Sequence, residues 1–201
     1  FNAYLMSSAA VRLPEGAWHF SNINSWVFYD SDMVANIATD RFVMVDDFAA
    51  NAYGIINIDK QALRPIHTCK KDKAAPCVIA GCGTGLGLSY LLPDGDGYQV
   101  HETWGGHMVP ACITAEQFEV MQAVQEFKML DSSPIFEDVV SGPGLTRIYH
   151  ALKGTQPGKD PYSEGKELLY RLSQGDDAAE QALRLFHQFL GLFLHQAVVY
   201  M

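Results

Sequence analysis

Residues 41–54 read RFVMVDDFAANAYG. The apolar run Phe42–Val45 has the character of a buried strand, and it ends in two adjacent carboxylates, Asp46 and Asp47. Small residues and an aromatic follow at helical spacing. A strand handing over to a helix is the repeating unit of α/β architecture. In open α/β sheets the carboxyl end of such a strand is where ligands sit. A carboxylate at a helix N-terminus is also favoured by the free amides and the dipole there. One aspartate suffices for a cap, and two side by side repel. The pair is therefore read both ways: as a cap alone, or as a cap beside an acid held for chemistry.

The rest of the chain bounds that reading. Its 201 residues allow one large domain or two small ones, and 48% apolar against 18% charged residues fits a packed core. A net charge of −9 argues against nucleic acid and anionic membranes as partners, since both need a basic face. No apolar run approaches the length of a membrane span, and no signal-peptide pattern opens the chain. Cys69, Cys77, Cys82 and Cys112 show no metal-type pairing. Reduced thiols in a cytoplasmic protein are expected. Both ends read as cut from the interior of a domain: NAYLMSSAAVRL as a strand already under way, LGLFLHQAVVYM as an apolar helix.

Along the chain, residues 3–11 and 16–20 read as two strands around the turn PEG, with a short helix at about 31–38 capped by Asp30 or Ser31. Residues 57–75 read as a linker or surface loop with a basic cluster. PCVIAGC (76–82) reads as a buried strand, and GLSYLLPDGDGYQV as a hairpin turning at Asp94–Gly97. The second half is helical. Thr114 and Gln117 form a capping box ahead of the periodic run Phe118, Met121, Val124, Phe127. Helices follow at 142–154, 163–173 and 176–201, the last with a stripe of Leu183, Phe186, Leu190 and Leu194 expected in the core. The order predicts a mixed α/β chain with a change of domain near 57–75.

Three further segments carry candidate chemistry. Gly83-Thr84-Gly85, in AGCGTGLGLSY (80–90), follows a buried strand. Glycines there let amides approach an anion, and the Thr hydroxyl adds a donor; a plain β-turn is the alternative. The segment is neither a P-loop nor GxGxxG before a helix. TWGGHMVP (103–110) places two glycines before His107, implying a tight loop that presents the imidazole. In IFEDVVSGPGLTRIYHAL (135–152), Glu137 and Asp138 precede the helix start Ser141-Gly142-Pro143-Gly144. No GxSxG elbow suggests a serine hydrolase, and no HExxH spacing suggests zinc.

Together, DDF (46–48), GTGLG (83–87), WGGH (104–107) and SGPGL (141–145) resemble, in order and spacing, the bacterial-type glucokinase family. That family is a branch of the actin-like sugar-kinase superfamily. The resemblance covers nearly the whole chain, and the missing CxCGxxGC motif separates it from another sugar-kinase branch. It implies an α/β fold, α+β in its larger lobe, of the actin-like ATPase or ribonuclease-H-like kind, here incomplete. Residues 1–56 would be part of the smaller lobe ending in the catalytic loop, and 76–201 most of the larger. It implies ATP-dependent phosphorylation of glucose to glucose 6-phosphate, with Mg2+ accompanying the nucleotide, in a cytoplasmic protein of the kind that dimerises. By resemblance Asp47 is the catalytic base, Asp46 holds a sugar hydroxyl, and Gly83, Thr84 and Gly85 form a phosphate-binding turn. His107, Glu137 and Asn22 would be ligands of glucose or a related hexose.

The chain departs from the pattern in three ways. Asp46 stands where the family has Asn, and Trp104 where it has a sugar-binding Glu. An indole accepts no hydrogen bonds; it either stacks on a sugar ring or fills the pocket. The family's Asp-x-Gly-Gly-Thr hairpin and its adenosine-holding Gly-Gly segment have no counterpart in the sequence. A non-catalytic, glucokinase-like protein that binds sugar or a partner is the alternative function.

Overall fold

The computed structural model describes residues 3–20, 26–37, 41–67, 72, 74–158 and 161–200. The chain divides into two compact units: 1–79 with 89–102, and 80–88 with 103–201.

In the first unit, β1 (Ala3–Ser7) pairs in parallel with β5 (Arg41–Val45), Tyr4 opposite Phe42 and Met6 opposite Met44. β2 (Ala10–Arg12), β3 (Ala17–Phe20) and β4 (Val27–Tyr29) form an antiparallel sheet in that order. Residues 3–11 are thus not one strand, as the sequence reading expected. The chain breaks at Ser8-Ala9, its first half joining β5 and its second half the hairpin around PEG. The alternating pattern runs through the break, so periodicity alone does not reveal it. Ala10, Trp18 and Met44 make the core here, with Phe20, Phe28 and Phe42 packed on them. α1 (Asp30–Ile37) begins at Asp30, whose carboxylate accepts Trp18 Nε1 at 2.7 Å and Arg12 Nη2 at 3.2 Å. From β5 the chain enters α2 (Asp47–Asn57), which buries Ala49 and Ala52. Among the described residues of 57–75 lies one short 3-10 turn, Lys60–Ala62.

A three-stranded sheet follows, in the order β6 (Cys77–Cys82), β7 (Leu86–Asp94), β8 (Gly97–Thr103). Gly95 turns the β7–β8 hairpin at φ +57°, a region open to glycine at little cost.

The second unit is helical: α3 (Ala115–Lys128), the single turn α4 (Phe136–Val139), α5 (Gly142–Lys153), α6 (Pro161–Ser173) and α7 (Asp177–Val199). α5 packs against each of the other four. Phe136, Ile148, Leu185, Phe189 and Phe193 are wholly buried, with Phe136 and Phe193 edge to face at 5.3 Å. Each such side chain contributes about 1.5–3 kcal/mol by leaving water. The capping box of α3 forms: Gln117 N donates to Thr114 Oγ1 at 3.2 Å, and Gln117 Oε1 accepts Thr114 N at 3.3 Å.

One expected stripe is displaced; in the other, Met121 and Val124 are buried as expected and Phe118 is not. In α7 the buried face is Ala179, Ala182, Leu185, Phe189, Phe193 and Ala197, one position off the expected one, and Leu194 is 40% exposed. The helix is apolar on two adjoining faces, and small alanines let α7 approach its neighbours on one of them. In α3, Phe118 is 57% exposed while Gln117 is 1% exposed. Gln117 is buried with both ends of its amide hydrogen-bonded: Oε1 also accepts Ile113 N at 2.9 Å, and Nε2 donates to Gln188 Oε1 at 3.2 Å. Among the described residues, no helix is long and apolar enough to cross a membrane.

Candidate functional site

At the β5–α2 junction the two aspartates take different parts. Asp46 is the helix N-cap: its Oδ1 accepts Phe48 N at 2.9 Å and Ala49 N at 3.3 Å. Asp47 opens the helix, is partly buried, and has no hydrogen-bond or ion-pair partner among the described residues. Burial pushes the Asp46 carboxyl above its ordinary value, against the Phe48 and Ala49 amides; the negative charges of Asp47 and Glu102 push the same way as burial.

In the second unit, Gly83–Gly85 is a closed turn. Gly83 N donates to Gly85 O at 2.8 Å, and Gly83 O accepts Gly142 N at 2.8 Å, which ties the turn to the start of α5. Ser141 caps that helix, accepting Gly144 N at 3.0 Å and donating to Glu137 O at 2.8 Å. The Glu137 carboxylate reaches back to the turn. Its Oε2 accepts Leu86 N at 2.9 Å and stands 2.7 Å from where a Cβ on Gly85 would be. A side chain at Gly85 would push the Glu137 carboxylate off this bond. The amides of Thr84 and Gly85 and the Thr84 hydroxyl have no protein partner among the described residues. They are donors suited to an anion such as a phosphate, so the turn fits that group.

The 104–107 loop rests on the same strand. Thr103 Oγ1 donates to Leu88 O at 2.7 Å and accepts Gly105 N at 3.1 Å. A Cβ on Gly105 would lie 2.1 Å from Leu88 Cδ2, and one on Gly106 2.1 Å from Leu86 O. The two glycines bring the backbone onto β7 and leave His107 exposed at its edge. Trp104, 54% exposed, lays its ring 4.8 Å from that of His107 at 52°. Met108 O accepts Phe136 N at 2.9 Å, joining the loop to α4.

The start of β7 thus gathers Gly83, Thr84, Gly85, Trp104, His107 and Glu137. Asp46 and Asp47 belong to the other unit, and Asn22 lies outside the described residues, as does Cys69. The sequence reading gave no role to Asp138, beside Glu137. It is 3% exposed and paired with Lys128 and Arg147. An acid next to a helix start looks like a surface residue in sequence; only the fold buries it. Burial lowers the Arg147 guanidinium from its ordinary value, against the charges of Asp138 and Glu137. Among the described residues, no three His, Cys, Asp or Glu side chains cluster as a metal site.

The family model for glucokinase matches residues 3–200. Curated relatives include the glucokinase of Zymomonas mobilis, 32% identical over 84% of this chain and 52% of its own length. The glucokinase of a Nostoc species is 34% identical over 63% of this chain and 37% of its own. The chain spans about half the length of the curated relatives it matches. In fold it is similar to the glucokinase of Balamuthia mandrillaris, whose crystal structure holds glucose. The TM-score is 0.81 at 18% identity, over 98% of this chain and 60% of that one. The matched motifs, the match over nearly the whole sequence and the shared fold lead to one assignment: the chain belongs to the glucokinase family.

Proposed function

We propose that the protein takes part in ATP-dependent phosphorylation of glucose, with Asp47 as general base. The observation that carries this reading is the division of labour at the β5–α2 junction. Asp46 spends its carboxylate on the helix amides, while Asp47 beside it is uncommitted. An uncommitted carboxylate at a helix start accepts a proton from a hydroxyl held against it, and the oxygen so activated attacks phosphorus in line. ATP, when bound, would supply the γ-phosphoryl group, whose bond to the bridging oxygen breaks as ADP leaves. The donors left in the Gly83–Gly85 turn would hold its phosphates, and positioning of this kind dominates such transfers. Glu137 would accept from sugar hydroxyls through Oε1, which has no partner among the described residues, and the exposed His107 would present its ring nitrogens. Asp46, with its acceptor already on the cap, has one oxygen left for a hydroxyl. In this reading 1–56 belong to the smaller lobe of a cytoplasmic sugar kinase and 76–201 to the larger.

A second reading, a glucokinase-like protein that binds sugar without transfer, is favoured by Trp104. This exposed indole lies on His107, at the position where the family pattern has an acceptor. Calorimetric titration of glucose, followed by an assay for glucose 6-phosphate, separates the two. Saturable heat with product supports the kinase, and heat without product supports the binder. No heat overturns both.

A further inference from the structure

Asp138 is buried with every oxygen engaged. Oδ1 takes the Lys128 ammonium and stands 3.8 Å from Arg147 Nη1. Oδ2 accepts Ile135 N at 3.0 Å, and the backbone carbonyl accepts Arg147 Nη1 at 3.0 Å. Two cations therefore converge on one carboxylate. The preceding residue, Glu137, carries the candidate ligand carboxylate, and its Oε2 is on the Leu86 amide at 2.9 Å. α4 has four residues, too few for a helix to hold itself, so side-chain ties decide where Glu137 points. Arg147 is within electrostatic reach of both carboxylates, each of which favours its charged form.

We propose that Asp138 is a positioning residue: by occupying Arg147 and Lys128 it keeps Arg147 off Glu137, so that Glu137 stays on the Leu86 amide with Oε1 open to a ligand hydroxyl. The ligand half of this inference rests on the sugar-site reading above; the structural half does not. Without the charge of Asp138, Arg147 is a largely buried cation with Glu137 as the remaining carboxylate in reach. A guanidinium–carboxylate bond is stronger than the bond to a neutral amide. Glu137 then turns to Arg147, the Leu86 amide loses its acceptor, and the glycine turn loses its tie to α4.

A merely structural ion pair behaves differently. Its loss and its repair act on all core amides together through global stability, whereas here removing Arg147 restores Leu86 beyond what the other core amides show. The test is amide hydrogen exchange at Leu86 in the unmodified protein, Asp138→Asn, Arg147→Met and the double variant. Relative to the other core amides, Asp138→Asn should speed Leu86 exchange about tenfold, the worth of one hydrogen bond, and the double variant should return to the unmodified ratio. An unchanged ratio in Asp138→Asn, or a ratio in the double variant no lower than in Asp138→Asn, overturns the proposal. Should Asp138→Asn not fold, the double variant decides: folded with Leu86 protected supports the proposal, unfolded overturns it. Glucose affinity should follow the same order. If the unmodified protein gives no glucose heat, the sugar reading fails, while Leu86 exchange still decides the role of Asp138.

Discussion

Trp104 and His107 lie ring against ring, centroids 4.8 Å apart, across a glycine pair that has no room for side chains. The indole offers one N–H donor and no acceptor, so a sugar hydroxyl that needs an acceptor finds none at this position. Trp104→Glu supplies two acceptor oxygens on the same backbone. Glucose affinity measured by calorimetry should rise about tenfold, the worth of one added hydrogen bond to a charged group. Weaker affinity would show that the indole itself holds the sugar, and unchanged affinity that this position does not face it.

Asp46 makes a prediction of opposite sign to the usual carboxylate. Burial and the neighbouring negative charges raise its pKa, so its contribution to stability is fully present below the ordinary carboxylate value and is lost as pH rises through the folded-state value. At neutral pH the ionised form is a net cost. Asn keeps the acceptor oxygen for Phe48 and Ala49 without the charge. Asp46→Asn should raise Tm by a few degrees at pH 7, and the gain should shrink as pH falls below about 4. A gain that grows towards acid pH would refute the cause given.

The glycine pair predicts a graded loss. At Gly105 a new Cβ meets a leucine side chain, part of which can move; at Gly106 it meets the Leu86 carbonyl, which cannot. Gly105→Ala should cost about 1–3 kcal/mol in denaturant unfolding, and Gly106→Ala more. Equal and small losses would mean the loop does not rest on β7 as described.

Much of this was legible in the sequence because it depends on local chemistry. The Thr114–Gln117 box, the Ser141 cap, the turn at Gly95 and the handover at Asp46-Asp47 are each set by a few adjacent residues. The misreadings share another origin. The break at Ser8-Ala9 follows from what each half-strand pairs with, and the α7 face from which neighbours approach most closely. Both are tertiary facts. Asp138 is illegible in sequence for the same reason: its partners Lys128 and Arg147 lie on other helices, and nothing beside it marks it as buried. Likewise, the sequence paired Asp46 with Asp47 but did not say which acid the helix would take as its cap.

That choice is the centre of the account, and Asp47→Asn tests it most directly. Glucose 6-phosphate formation from glucose and ATP should be measured for the protein and for this variant side by side. The account predicts product from the unmodified protein and a loss of about 100- to 10,000-fold in the variant, with glucose heat and Tm little changed. Equal rates in the two proteins would contradict it, and so would an absence of product from both.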